Sequence, residues 1–172
     1  MEGFSAYSIP IQGLKTGMHH FEFTLDKTFF CQFEEAPISE SELVFEVTLD
    51  KRHDMMLFDF DMKGWFATSC DRCTAAIHLP IQTERNLVVK YGEQEGETED
   101  EVVFIERETP KFNLASYLYE FSLLALPITN TYNCEEDAIL PCNKEVLKYL
   151  NNETQEEKQD SVWDVLKEIN KN

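Results

Sequence analysis

The sequence predicts an α+β fold, predominantly antiparallel β-sheet with packed helices and a helical C-terminal part. Three observations carry this. Apolar and polar residues alternate over successive stretches through the first two-thirds of the chain, the period of a strand with one buried face. Helical spacings of apolar residues follow beyond Pro110. The chain has 172 residues, 42% hydrophobic with 13 Phe, enough to build the core of one ordinary domain.

Ile9-Pro10-Ile11 and Met18 to Leu25 flank a Gly13/Gly17 turn region and read as the first pair of strands, with Phe21, Phe23 and Leu25 inward. Asp26 is placed to cap a short helix in which Phe29, Phe30 and Phe33 share a face and which Pro37 stops. Cys31, between these aromatics, reads as a small buried hydrophobe. Leu43, Phe45, Val47 and Leu49 alternate with polar residues. The break at 50–54 then leads into Met55 to Met62, the pattern of a hairpin. Gly64 separates Met62 from Trp65 to Thr68, and a further strand runs from Ala75 through Ile81, continued by Leu87 to Tyr91.

Gly92 to Glu101 carries acids and no base and reads as a solvated loop, and Val102 to Ile105 as a last short strand. Asn113 is placed to cap the longest helix, with Leu114, Tyr117, Leu118, Phe121 and Leu124 or Ala125 on one face and Pro127 at its end. After an irregular stretch, Pro141-Cys142-Asn143-Lys144 opens a shorter helix. Residues 1–150 are therefore expected to form the α+β domain and 151–160 an acidic, polar linker. Residues 161–172 should form a short amphipathic helix whose Val162, Trp163, Leu166 and Ile169 need a surface to dock on, either its own domain or a partner.

The net charge of -18, from 33 acids and 15 bases, repels polyanions. No basic stripe is present to neutralise phosphates, so a basic protein partner is the easier inference, with an acidic surface that only confers solubility as the alternative. No apolar run approaches the roughly 20 residues that span a bilayer, and the N-terminus lacks the features of a signal peptide. A cytoplasmic protein with no membrane partner is expected. Its five cysteines should then be thiols or metal ligands rather than a disulfide framework.

The densest chemistry is Cys70-Asp71-Arg72-Cys73, placed at a strand-to-strand turn. Two thiols so spaced make half of a tetrahedral Zn²⁺ site, and Cys134 and Cys142 are the thiols available to complete it, with His78 as a substitute. The other reading is a metal-free thiol hairpin, and both stand at this point. A redox pair would want a helix N-terminus where strands flank here. No nucleophile motif, phosphate loop or paired metal-binding helix accompanies the four histidines, so no enzyme is expected.

Taken in order, Cys70-Asp71-Arg72-Cys73 at a strand end, the acidic loop, the helix leading into Leu123-Leu124-Ala125-Leu126-Pro127-Ile128, the later Cys142 and the final Trp163-Asp164-Val165-Leu166 resemble the bacterial YceD family, a former domain of unknown function. The chain looks most similar to the family's Bacteroidetes branch. The resemblance implies a role in accumulation of the large-subunit ribosomal RNA, and the frequent neighbourhood of family genes with that of ribosomal protein L32 implies a place in ribosome assembly. Joined to the charge and the turn, this gives as expected partners a basic ribosomal protein, L32 among them, or the RNA itself, with Arg72, Trp163 and Leu166 as expected contact residues. Two departures stand out. Relatives carry a basic, histidine-containing segment where this chain has Thr129 to Cys134, and the leucine that often follows the second cysteine is Thr74. Cys134 is then a candidate to replace the missing histidine as a metal ligand.

Overall fold

The computed structural model describes residues 2–34, 36–92, 102–132 and 141–156. They divide into two compact units, residues 1–67 with 78–128 and residues 68–77 with 129–172.

The first unit is built on strands β2 (Gly17–Asp26), β3 (Ser41–Lys51), β4 (Met55–Ser69), β5 (Ala76–Tyr91) and β6 (Val102–Ile105), which form one sheet in the order β2-β3-β4-β5-β6. The predicted hairpin is β3–β4, closed where the Arg52 N–H donates to the Met55 carbonyl at 2.9 Å. Alternation decides the buried face: Leu43, Phe45, Val47 and Leu49 of β3 and Met56, Phe58, Phe60 and Met62 of β4 are buried. β4 runs unbroken through Gly64, whose φ of +157° admits few side chains; a Cβ there would collide with the Glu42 carbonyl and lie 2.8 Å from the Leu43 Cα.

Strand direction and partner differ from the expectation in two places. β6 pairs parallel to β5, Val88 with Val102 through Tyr91 with Ile105, so the sheet is mixed. The first strand, β1 (Ser8–Ile9), pairs with β7 (Phe112–Asn113) in a separate two-stranded ladder, and β2 pairs with β3 instead. Alternation reports which face is buried and is silent on which neighbour supplies the hydrogen bonds.

Helix α1 (Lys27–Phe30) forms where predicted, because the Asp26 carboxylate accepts from the N–H groups of Thr28 and Phe29. It is a single turn, so Cys31 falls at its end and is exposed, not buried as expected. Phe29 and Phe30 are fully buried. Phe29 packs edge-on to Tyr7, and Phe33 stacks on Tyr119 at 3.9 Å, which ties this turn to helix α2 (Ala115–Leu124). The N-cap position of α2 is Leu114, not Asn113 as expected; Asn113, one residue ahead of it, accepts from the Ala115 N–H through Oδ1 at 2.8 Å.

In the second unit, α3 (Lys144–Glu156) starts at Asn143, whose Oδ1 accepts from the Glu145 N–H, and runs six residues into the stretch read as a linker. The acidic loop at 93–101 and the final segment with Trp163 and Leu166 lie outside the described residues. Among the described residues no helix is long and apolar enough to cross a membrane.

Candidate functional site

The Cys-x-x-Cys closes the turn between β4 and β5, and a connection this short makes those two strands antiparallel. The Cys70 N–H donates to the Ala75 carbonyl and the Thr74 N–H to the Cys70 carbonyl, both at 2.8 Å, while Thr74 takes the left-handed φ of +57° that completes the reversal. The turn is fastened to the following segment by a reciprocal pair. The Asp71 N–H donates to the Asn130 carbonyl at 2.8 Å, and the Asn130 N–H donates to Asp71 Oδ2 at 2.6 Å. Cys70 and Cys73 are left 3% and 1% exposed, and Arg72 between them is exposed.

Burial pushes the Cys70 thiol up. The N–H groups of Tyr132, Cys73 and Arg72 and the Cys73 thiol act against it and hold it, on balance, below the ordinary thiol value. This is thiolate-stabilising chemistry, which suits a metal ligand and a nucleophile alike. Among the described residues no group of three or more His, Cys, Asp or Glu is placed to hold a metal ion. Of the other two thiols proposed for zinc, Cys134 lies outside the described residues, and Cys142, half-buried before α3, is disulfide-bonded. His78, the proposed substitute, stacks on Trp65 with ring centroids 4.3 Å apart.

A second feature belongs to the first unit. Strand register sets Glu22 opposite Glu46 and Glu46 opposite Asp61, so three carboxylates form one row across β2, β3 and β4 on the face opposite the core. Like charges directly opposite one another destabilise a sheet, so packing alone does not favour this row. Glu46 and Asp61 also line a groove of about 900 Å³ together with Asp59, Glu84 and Glu120, and Arg85 is the cation in that lining. Phe60, Leu87, Val103, Phe121 and Leu124 supply its apolar part. Lys63 bonds Asp61 Oδ2 at 2.7 Å, while Asp61 Oδ1 is buried with no hydrogen-bond partner.

A family model described as large ribosomal RNA subunit accumulation protein YceD matches residues 58–170, about two-thirds of the chain. The chain belongs to the YceD family. No curated protein and no solved structure matches it. The stretch matched to YceD begins inside β4, so it takes in Asp59, Asp61, the Cys70–Cys73 turn, Glu84 and Glu120, and leaves β2 and all of β3 outside, with Glu22 and Glu46. Trp163 and Leu166 fall within it but outside the described residues.

Sequence reasoning singled out the turn of this YceD chain and missed the acidic groove. The signal was there in part, since Glu46, Asp59 and Asp61 occupy the outward positions of strands that alternation identifies. What alternation could not supply was the register that sets them side by side or the placement of Glu120 on α2.

Proposed function

We propose that this YceD-family protein is a non-enzymatic factor in large ribosomal subunit assembly, supporting accumulation of the subunit's RNA by binding a basic ribosomal protein, with L32 the first partner to try. The observation that carries this is the Glu22–Glu46–Asp61 row, three carboxylates in register on the sheet face turned away from the core. In a chain with a net charge of -18, such a face attracts a polycation and repels bare RNA. A factor of this kind shields a basic ribosomal protein until RNA displaces it. The test is a binding titration of the purified protein with L32 and other basic ribosomal proteins, beside the level of large-subunit RNA in depleted cells. Nanomolar to micromolar binding that weakens with salt and in a Glu22→Gln/Glu46→Gln/Asp61→Asn variant supports the reading. Absence of binding to any basic ribosomal protein at low salt, or an unchanged RNA level on depletion, rules it out.

A second reading rests on the turn, where Arg72 is exposed between two buried thiols. Here a zinc site of Cys70, Cys73, Cys134 and Cys142 stiffens the turn and Arg72 contacts RNA phosphate. It requires Cys142 in its reduced form. Stoichiometric zinc that disappears in a Cys70→Ser/Cys73→Ser variant, with RNA binding lost in Arg72→Ala, selects it over the first.

A further inference from the structure

The groove described above has two chemistries in its lining. Glu46, Asp59, Glu84 and Glu120 are exposed, and among the described residues none of them makes an ion pair or a side-chain hydrogen bond. Phe60 and Leu87 are buried, Phe121 is half-buried and Leu124 is 66% exposed, so an apolar strip continues from the core out to solvent. Leu124 is the last residue of α2, an aliphatic side chain left largely open to solvent beside these acids.

A cation of the protein's own already pairs with one of the lining acids, Asp61. The Lys63 ammonium bonds Asp61 and feels the charges of Asp61, Glu46 and Glu84, and these hold it protonated above its usual value. The acids therefore act together on a cation there.

We propose that this groove takes a lysine- and arginine-rich protein segment bearing one bulky apolar residue, whose side chain rests on Phe121 and Leu124 while the flanking cations meet Glu46, Asp59, Glu84 and Glu120. The inference rests on the reading of the protein as a binder of a basic ribosomal protein and gives that contact a place. Charge complementarity selects a cationic occupant and disfavours nucleic acid. The apolar strip separates a peptide from a metal ion or a polyamine, neither of which gains from Phe121 or Leu124.

The experiment uses the full chain and three labelled probes in fluorescence anisotropy. They are a short lysine/arginine peptide with a central phenylalanine, the same peptide with glycine in its place, and an RNA oligonucleotide of equal length. At low salt the phenylalanine peptide should bind about tenfold tighter than the glycine peptide. Leu124→Ser, an exposed position that leaves the melting temperature unchanged, should remove that preference. Glu84→Gln and Glu120→Gln should each weaken binding about threefold. Equal affinity for the two peptides, insensitivity to all three substitutions, or displacement of the peptide by the RNA would overturn the proposal. If wild-type protein binds a basic ribosomal protein and the groove variants bind it equally well, the groove assignment fails and the assembly reading survives. If the phenylalanine peptide behaves as expected while no ribosomal protein binds, the groove stands and the ribosomal reading falls.

Discussion

At position 64 the chain of β4 passes so close to Glu42 and Leu43 of β3 that no side chain fits, at a φ that itself favours glycine. Gly64→Ala must therefore push two paired strands apart, and should cost at least about 2 kcal/mol in urea unfolding. Asp26 acts through its cap. Its hydrogen bond from the Thr28 hydroxyl, reinforced by the Phe29 and Thr28 N–H groups and opposed by slight desolvation, lowers its carboxyl below the usual 3.8. The cap thus contributes fully above about pH 4 and is lost as the pH falls through the depressed folded value. Asp26→Ala should cost about 1 kcal/mol at pH 7, and the wild-type advantage should vanish in strong acid. Glu46 faces Glu22 and Asp61 across the ladder, like charges that work against the sheet. Glu46→Gln should stabilise the fold by about 0.2–1 kcal/mol while weakening a basic partner, the signature of a residue kept for binding.

Among the elements, the turn between β4 and β5 depends on its clamp. Asp71 both donates to and accepts from Asn130, and this contact keeps the turn against the segment whose Tyr132 N–H reaches Cys70. Thiol reagents should label exposed Cys31 first and buried Cys70 and Cys73 slowly. Asp71→Ala, by removing one partner of the pair, should speed labelling of Cys70 and Cys73 about tenfold, read by mass spectrometry. Loss of zinc in the same variant would further mark the turn as metal-built. Helix α2 carries two chemistries: Ala115 and Leu118 are buried, while Glu120 and Leu124 reach the groove. Its sequence is apolar on most sides, so spacing located the helix correctly but spread its core face too widely, out to an end where Leu124 is open to solvent.

For the molecule as a whole, 33 acids against 15 bases make self-repulsion a standing cost of compactness. Screening shortens from about 10 Å at 0.1 M salt to about 3 Å at 1 M, so added salt should raise the melting temperature by about 2–5 °C. The same salt should release a basic partner, and opposite signs for the two responses would tie both to one charge distribution. Alternation, caps and charge, which are local properties of the chain, were enough to locate strands β2 to β6, the capped turn α1, helix α2, the turn position of Cys70 and Cys73 and the acidic character. The sequence by itself also carried enough ordered motifs to place the chain in the YceD family. Only the tertiary structure decided that β6 runs parallel to β5, that β1 pairs with β7, that Cys31 is exposed, and that five carboxylates from β3, β4, β5 and α2 line one groove. Each of these depends on which distant segment becomes a neighbour, and register and strand direction are settled by the packing of whole faces, not by any residue's own preference.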